Sequence, residues 1–337
     1  MNKTIQGMRA IAMLAIFLFH AGLLPNGYFP VTFFFMVSGF GIYTAKHALP
    51  AEKLSWQANG RWQRAKMGYF YALHLLLFAA SIPIRWEEYA VTPGLPIRAA
   101  LNLTLTQSWY PWYSNGFNNL SWFLSTLVFV YPAAFWAVRR VRSWEHPGRV
   151  AVLLLALEGV LNFAYAKDAL PFFFEPYFNP AYRVLDLMLG MLAARWLLED
   201  RPRFSGTGWE LLVLALLGVQ YVLYLPCREN LPAVFAPIFF AAICVFGRQK
   251  GVLSRILQAT PFQWLARWGF EFYMVQELLI ILLRRGSGQL GLPWRLRVLV
   301  FTGGGFVLSL AFAMACQKWL KPIFNKGRGS CGKVKSN

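Results

Sequence analysis

Two polar residues in the first apolar segment have the types and spacing that proton transfer beside a bound anion requires. Arg9 and His20 lie eleven residues apart, and every residue between them is apolar. On a helix this spacing returns both side chains to one face and separates them by about 16 Å along the axis. An imidazole takes up a hydroxyl proton near neutral pH, and a guanidinium pairs with phosphate. We therefore predict a catalytic stripe in which Arg9 and His20 open onto one cavity.

A structural role explains each residue when it is taken alone. An Arg in a membrane helix can extend to the interface, and a His can simply hydrogen-bond a neighbour. A second motif nevertheless follows closely, since residues 34–40 read Phe-Phe-Met-Val-Ser-Gly-Phe. The combination of the pair with this motif favours a functional site.

These residues resemble the acyltransferase-3 family of membrane O-acyltransferases. Arg9 and His20 are similar to the family's signature of Arg, ten residues and His, and residues 34–40 resemble its Phe-Phe-x-x-Ser-Gly-Phe segment. Weaker similarities extend the resemblance over residues 5–280. They lie at residues 61–69, 122–132, 180–190 and 268–276. Leu127 and Gln276 stand where many members carry Glu and His.

The resemblance implies an enzyme that moves an acyl group, often acetyl, from cytosolic acyl-CoA to a hydroxyl of an envelope glycan or a related acceptor. Acyl-CoA would be a co-substrate, and no tightly bound cofactor or metal is expected. We predict that His20 is the general base, with a transient acyl-imidazole as the alternative. The donor phosphates are expected to contact Arg9, together with the cluster Arg61, Arg64 and Lys66. Enforcement of topology explains that cluster equally well.

Five further residues are expected to contact substrate: Ser38, Trp122, Tyr273, Gln276 and Glu277. For Ser38 and its neighbour Gly39, a packing notch between helices is the favoured alternative. Other polar residues in apolar segments are assigned structural roles. We predict an ion pair between Arg183 and Asp186, and interhelical hydrogen bonds for Glu158, Glu271 and His74. An interhelical hydrogen bond is also the favoured alternative for Glu277.

The elements that position these residues are predicted to be membrane helices, because 57% of the 337 residues are hydrophobic and only 14% are charged. We predict an all-α, polytopic bundle of about ten transmembrane helices. They cover residues 4–23, 28–45, 66–84, 120–138, 150–166, 182–198, 209–225, 231–247, 269–283 and 298–320. Residues 1–324 would form the transmembrane acyltransferase domain, and residues 325–337 a basic cytoplasmic tail.

The formal net charge of +19 is interpreted as a topology signal and not as a nucleic-acid site. Most basic residues fall in the connections that follow even-numbered helices, at residues 46–66, 139–149, 195–203 and 248–267, which predicts that both termini are cytoplasmic. The connection after helix nine, with Arg284, Arg285, Arg295 and Arg297, disagrees. No cleavable signal precedes the first helix, and Cys227, Cys244, Cys316 and Cys331 have no metal-ligand spacing. The expected location is the inner (plasma) membrane, where the protein would span the bilayer several times and contact membrane lipid.

Two other function classes fit a polytopic chain with buried polar groups. A transporter or flippase of a glycan or a lipid-linked substrate would more typically show paired repeats and helices broken in matching halves, and neither occurs here. A structural scaffold would not explain why Arg9 and His20 share one stripe. Labelled acetyl-CoA would separate these classes, because only the enzyme should release CoA or become labelled.

Overall fold

The protein is described here by a computed structural model covering residues 2–199, 204–227 and 231–325. Within these residues the chain is helical and contains no strand. The predicted basic tail, apart from Asn325, lies outside the described residues, as does Cys331. Parts of two predicted connections, at residues 200–203 and 228–230, also lie outside.

Ten main helices account for all ten predicted segments. We number them in chain order: α1 Lys3–His20, α2 Pro30–Lys46, α3 Trp56–Ile84, α4 Ser121–Ser143, α5 Pro147–Ala166, α6 Pro180–Leu198, α7 Thr207–Tyr224, α8 Pro232–Phe246, α9 Gly269–Gln289 and α10 Trp294–Phe324. Short helices occur in three connections, those between α2 and α3, between α3 and α4, and between α8 and α9. They are Ala51–Leu54, Trp86–Ala90, Leu95–Leu103, Gln107–Trp109, Pro111–Ser114, Val252–Leu257 and Thr260–Arg267.

Five of the described helices, α3, α4, α5, α7 and α10, are long and apolar enough to cross a membrane. The all-helical, membrane-type architecture is thereby confirmed. Helices α1, α6 and α9 carry Arg9, His20, Glu277 and the Arg183–Asp186 pair. Helix α6 is the most enclosed of the three, with Arg183 and Asp186 fully buried. A helix surrounded by other helices needs no continuous apolar surface, because its polar groups are shielded from lipid.

The basic connections meet at one end of the bundle, which we call the basic end. Arg142 Nη1 donates to Leu49 O at 2.8 Å, and Arg195 Nη1 donates to Trp144 O at 2.7 Å. The N-terminus lies at the same end, where Asn2 Nδ2 donates to Gly247 O at 2.6 Å. Four cationic connections therefore share one end, as the positive-inside rule requires of cytoplasmic loops.

Two of the four arginines of the disagreeing connection, Arg284 and Arg285, have a structural role at the opposite end. Arg284 Nη2 donates to Ala21 O at 3.2 Å and to His20 O at 3.4 Å, and Arg285 Nη1 donates to Ile84 O. These carbonyls belong to the C-terminal ends of α1 and α3, where cationic donors are favourable. Capping of two helix ends therefore gives Arg284 and Arg285 a role that is independent of topology.

Helices α2 and α6 cross closely at two glycines. A Cβ added to Gly39 would overlap the carbonyl of Leu187, and one added to Gly190 would overlap the carbonyl of Met36. The backbones can therefore approach only because both positions lack a side chain. The packing notch expected at Ser38 and Gly39 is confirmed for Gly39.

Candidate functional site

Helix α1 fixes the geometry of the candidate site. The side chain of Asn2 caps its first turn by accepting from Ile5 N at 3.1 Å, and the helix continues without a break to His20. Arg9 therefore lies near the basic end and His20 at the last residue of the helix, as the eleven-residue spacing predicts. Both side chains are partly buried.

Arg9 and His20 line two adjoining cavities instead of one. The first, which we call the Arg9 cavity, has a volume of about 380 Å³ and also contacts Lys46 and Lys66. The second, the His20 cavity, has a volume of about 430 Å³ and lies toward the opposite end. Three residues line both cavities: Ile16, Val31 and Tyr273. These three side chains, which we call the shared wall, lie where the two cavities meet.

The Arg9 cavity adjoins a third, polar cavity at the surface of the basic end. This cavity has a volume of about 480 Å³, and its cations are Arg9, Arg267 and Lys321. Gln6 Oε1 accepts from Arg9 Nη1 at 3.0 Å. The one carboxylate among its lining residues, Glu271, is already hydrogen-bonded. The two adjoining cavities thus present several cations, an arrangement suited to a polyanionic ligand.

Of the predicted cluster in α3, the structure brings only Lys66 to a cavity. Its ammonium donates to the Tyr131 hydroxyl at 3.1 Å and lies 5.1 Å from the centroid of the Trp62 ring. Arg61 and Arg64 are exposed and do not line the Arg9 cavity. Along a helix, residues two and five positions before Lys66 point to other faces, so cations adjacent in sequence are separated in space.

Sequence reasoning missed three cations that line these cavities: Lys46, Arg267 and Lys321. They belong to three different parts of the chain, and each was interpreted only as a topology signal. The available indication was their position at helix ends, since Lys46 ends α2 and Arg267 ends the short helix Thr260–Arg267. Their convergence is a tertiary feature without a local pattern.

The ring of His20 is oriented by its own helix. Its Nδ1 lies 2.8 Å from Ile16 O. A carbonyl oxygen only accepts, so in the neutral ring Nδ1 carries the proton and Nε2 retains its lone pair. The side chain of His20 also lines the His20 cavity. The arrangement therefore provides a ring whose free nitrogen is a base, which is what removal of a hydroxyl proton requires.

Glu277 lies in the His20 cavity, as expected of a substrate-binding residue. Asn119 Nδ2 donates to its Oε1 at 2.7 Å, and Arg85 Nη1 lies 3.9 Å from the same oxygen. Its Oε2 has no partner within the described residues. A carboxylate held in this way can accept a hydrogen bond from a hydroxyl-bearing ligand.

Aromatic rings form much of the remaining wall of the His20 cavity. Trp122 is buried, and its ring centroid lies 4.8 Å from that of Tyr177. Tyr28 also lines the cavity, 5.9 Å from Tyr177. Burial raises the pKa of the Tyr177 hydroxyl, so this group remains protonated. Tyr177 and Asn119 were missed because they lie in connections outside the predicted helices.

The remaining predicted substrate residues lie in different places. Tyr273 is buried within the shared wall. Ser38 lines the Arg9 cavity, and its hydroxyl donates to Phe34 O at 2.9 Å, so it is engaged with its own helix. Gln276 is fully buried and lines neither cavity, and its amide atoms have no partner within residues 2–199, 204–227 and 231–325. Leu127 lines the Arg9 cavity.

The predicted ion pair in α6 is present. Arg183 Nη1 donates to Asp186 Oδ2 at 2.6 Å, and both side chains are fully buried. Two of the predicted hydrogen bonds also occur. Tyr69 donates to Glu271 Oε1 at 2.8 Å, and the His74 ring lies 3.0 Å from Asn102 O.

The prediction that the Glu158 side chain makes an interhelical hydrogen bond is wrong. Its carboxyl group is fully buried on α5, yet neither oxygen has a hydrogen-bond partner in the described part of the chain.

No group of three or more potential metal-ligating side chains occurs among the described residues.

Comparison with known proteins provides one match. A family model described as an acyltransferase domain matches residues 2–316, which include Arg9, His20 and both cavities. No curated protein and no solved structure matches the chain.

Proposed function

The chain belongs to the acyltransferase-3 family, and from this premise we propose that it transfers an acyl group from acyl-CoA to a hydroxyl of an envelope glycan or a related acceptor. The acyl group proposed is acetyl. The observation that carries this proposal is the placement of Arg9 and His20 on one helix, in adjoining cavities that contact opposite ends of the bundle. One cavity is cationic, and the other contains a base.

The donor is assigned to the basic end because its phosphates need cations. A CoA thioester carries a pyrophosphate and a 3′-phosphate, which bind best to Arg and Lys. Arg9 lines both cavities at this end, and Arg267 and Lys321 line the outer one. The apolar inner walls of the Arg9 cavity, including Phe34 and Phe123, suit the pantetheine arm and its acyl group.

The acceptor is assigned to the His20 cavity. Glu277 and Asn119 offer hydrogen-bonding groups, and the rings of Trp122 and Tyr177 offer flat apolar surfaces. A sugar ring presents hydroxyl edges and apolar C–H faces, and these two kinds of surface match it. The cavity therefore supports a hydroxyl-bearing acceptor with a carbohydrate part.

Direct transfer then needs only one base. Nε2 of His20 removes the proton of the acceptor hydroxyl, and the oxygen attacks the thioester carbonyl carbon. The carbon–sulfur bond breaks as the new carbon–oxygen bond is completed, and the imidazolium returns the proton to the thiolate, which gives CoA as a thiol. A covalent acyl-imidazole on Nε2 is the second route that this ring permits.

This reaction implies a membrane topology. We propose that all ten main helices span the inner (plasma) membrane and that both termini lie in the cytoplasm. The basic connections at one end of the bundle support this orientation, because positively charged loops are retained on the cytoplasmic side. Acyl-CoA would then enter from the cytoplasm, and the acceptor would be acylated toward the opposite side.

The direct test is release of CoA by the purified protein incubated with acetyl-CoA and a glycan acceptor. His20→Ala should lose about 10²- to 10⁴-fold in rate, which is the usual contribution of a general base. His47→Ala is the matched control, because His47 makes a similar contact to the carbonyl four residues earlier yet lines neither cavity. Full activity in the His20 variant would contradict the proposal, provided that both variants express and fold.

A transporter or flippase is the second candidate, because two adjoining cavities that contact opposite ends of the bundle could also form a conduit. The same assay distinguishes the two. Only the acyltransferase releases CoA and places labelled acetyl on the acceptor, whereas a transporter would move its substrate without either product.

A further inference from the structure

The wall between the two cavities is small and consists of side chains that the chemistry above does not use. Its residues are Ile16 of α1, Val31 of α2 and Tyr273 of α9. We propose that this wall selects the acyl group by size, so that Ile16, Val31 and Tyr273 set the longest acyl chain that the enzyme transfers. The inference rests on the proposed function and deepens it.

The position of the wall along α1 follows from the sequence. Ile16 lies seven residues after Arg9 and four before His20, or about 10 Å from the first and about 6 Å from the second along the axis. The wall is therefore closer to the base than to the phosphate-binding cation. A group that reaches it from the basic end is within about one helical turn of His20.

The order of groups in the donor determines which of them meets the wall. With the phosphates held near Arg9, the pantetheine arm, the sulfur, the carbonyl and the acyl tail follow in that order toward His20. The acyl tail leads, and the carbonyl carbon must come within bonding distance of the hydroxyl oxygen that His20 deprotonates. The tail must therefore enter the space bounded by the wall, while the CoA sulfur remains in the Arg9 cavity.

The wall is rigid enough to discriminate. All three side chains are buried, and the Tyr273 ring packs edge-on against Phe123 at a centroid distance of 5.6 Å. The carbonyl of Ile16 contacts the His20 ring, so the wall and the base share one turn of α1. Close-packed interiors respond to changes of a single methylene, and one methylene in an apolar pocket commonly changes specificity by about tenfold or more.

The experiment compares acetyl-CoA with butyryl-CoA as donors for the purified protein, measured as kcat/KM for CoA release with acceptor present. Wild type should prefer acetyl by about tenfold or more. Ile16→Ala and Val31→Ala should each lower that ratio by about tenfold, because truncation makes room for the longer tail. Ile16→Val removes one methylene and provides a milder variant should either alanine variant fail to fold.

Ile42→Ala is the matched control, because Ile42 is a buried isoleucine that lines the Arg9 cavity but not the shared wall. It should leave the acetyl-to-butyryl ratio within about twofold of wild type even if the overall rate changes. Val31→Ile tests the opposite direction and should reduce use of propionyl-CoA relative to acetyl-CoA.

The outcomes separate the two levels of the proposal. A wild-type protein that transfers no acyl group from any CoA donor refutes the proposed function. A wild-type protein that uses acetyl and butyryl equally overturns the inference about the wall while the function stands. The inference about the wall is also overturned if the acetyl-to-butyryl ratio is unchanged in folded Ile16 variants. The same holds if Ile42→Ala lowers that ratio as much as Ile16→Ala does.

Discussion

Removal of the buried guanidinium of Arg183 should destabilise the protein more than removal of the whole ion pair. Arg183 Nη1 donates to Asp186 at 2.6 Å and to Thr32 Oγ1 at 3.1 Å, and its Nε donates to Tyr177 O at 2.9 Å. The other carboxylate oxygen of Asp186 has no partner in the described structure. Arg183→Met therefore leaves a fully buried, unpaired carboxylate, and the expected cost is about 3–5 kcal/mol.

The double variant Arg183→Met with Asp186→Leu removes both charges together. A buried ion pair replaced by apolar residues of similar size is often close to neutral. Part of the loss should remain, because the carbonyl of Tyr177 loses its guanidinium donor. We expect the double variant to recover about 2 kcal/mol or more of the free energy of unfolding lost in Arg183→Met.

The measurement is the free energy of unfolding in mixed micelles, from titration with sodium dodecyl sulfate followed by tryptophan fluorescence. Arg255→Met is the control, because Arg255 is exposed, and its free energy of unfolding should stay within about 0.5 kcal/mol of wild type. The reasoning fails if Arg183→Met costs less than about 1 kcal/mol, or if the double variant is as unstable as the single one. Because Tyr177 lines the His20 cavity, KM for the acceptor should also rise in Arg183→Met.

Three further outcomes follow from other contacts. Arg9→Glu should weaken CoA binding at least about tenfold in calorimetric titrations, whereas the exposed Arg61→Glu should change it less than about twofold; equal effects would contradict the donor site. Glu210 accepts from the backbone amides that begin the helix Val252–Leu257, so Glu210→Ala should cost about 2–3 kcal/mol of unfolding free energy, and Glu210→Gln less; no difference between the two would count against this cap. Burial raises the pKa of Glu175 to about 7 from the ordinary value of 4.5, so the folded state binds the proton more tightly than the unfolded state. The free energy of unfolding of wild type should therefore fall as the pH rises from 4.5 to about 7. Unfolding measured from pH 4 to pH 8 should show a smaller fall in this free energy for Glu175→Gln.

Much of the fold was predictable because hydrocarbon imposes a simple length rule on apolar helices. All ten predicted segments are helical, and the error lies in their bounds. The largest error is in α3, which was expected to begin at residue 66 and begins at Trp56, where Ser55 caps it by accepting from Ala58 N at 3.3 Å. The additional turns are polar, so a search for apolar runs could not detect them.

The relation between Arg9 and His20 was predictable because both residues lie on one helix, whereas Lys66, Trp122 and Glu277 on other helices were predicted only one by one. Arg9 and His20 are related by helical periodicity alone, and α1 places them as expected. The residues that complete the three cavities come from several helices and from the connections before α4 and α6. Lys321 and Tyr177 illustrate this limit, because their proximity to Arg9 and His20 depends on how distant helices pack.

The close crossing at Gly39 and Gly190 restricts how the enzyme can move during turnover. With carbonyls in the space where side chains would be, α2 and α6 cannot slide past each other and should behave as one rigid body. Helix α2 also contributes Val31 to both cavities. Any widening that admits a donor or releases a product should therefore come from displacement of α1, α3, α4 or α9, the other main helices that line the two cavities, relative to this fixed pair. Pairs of spectroscopic labels that report distance should be attached to those helices.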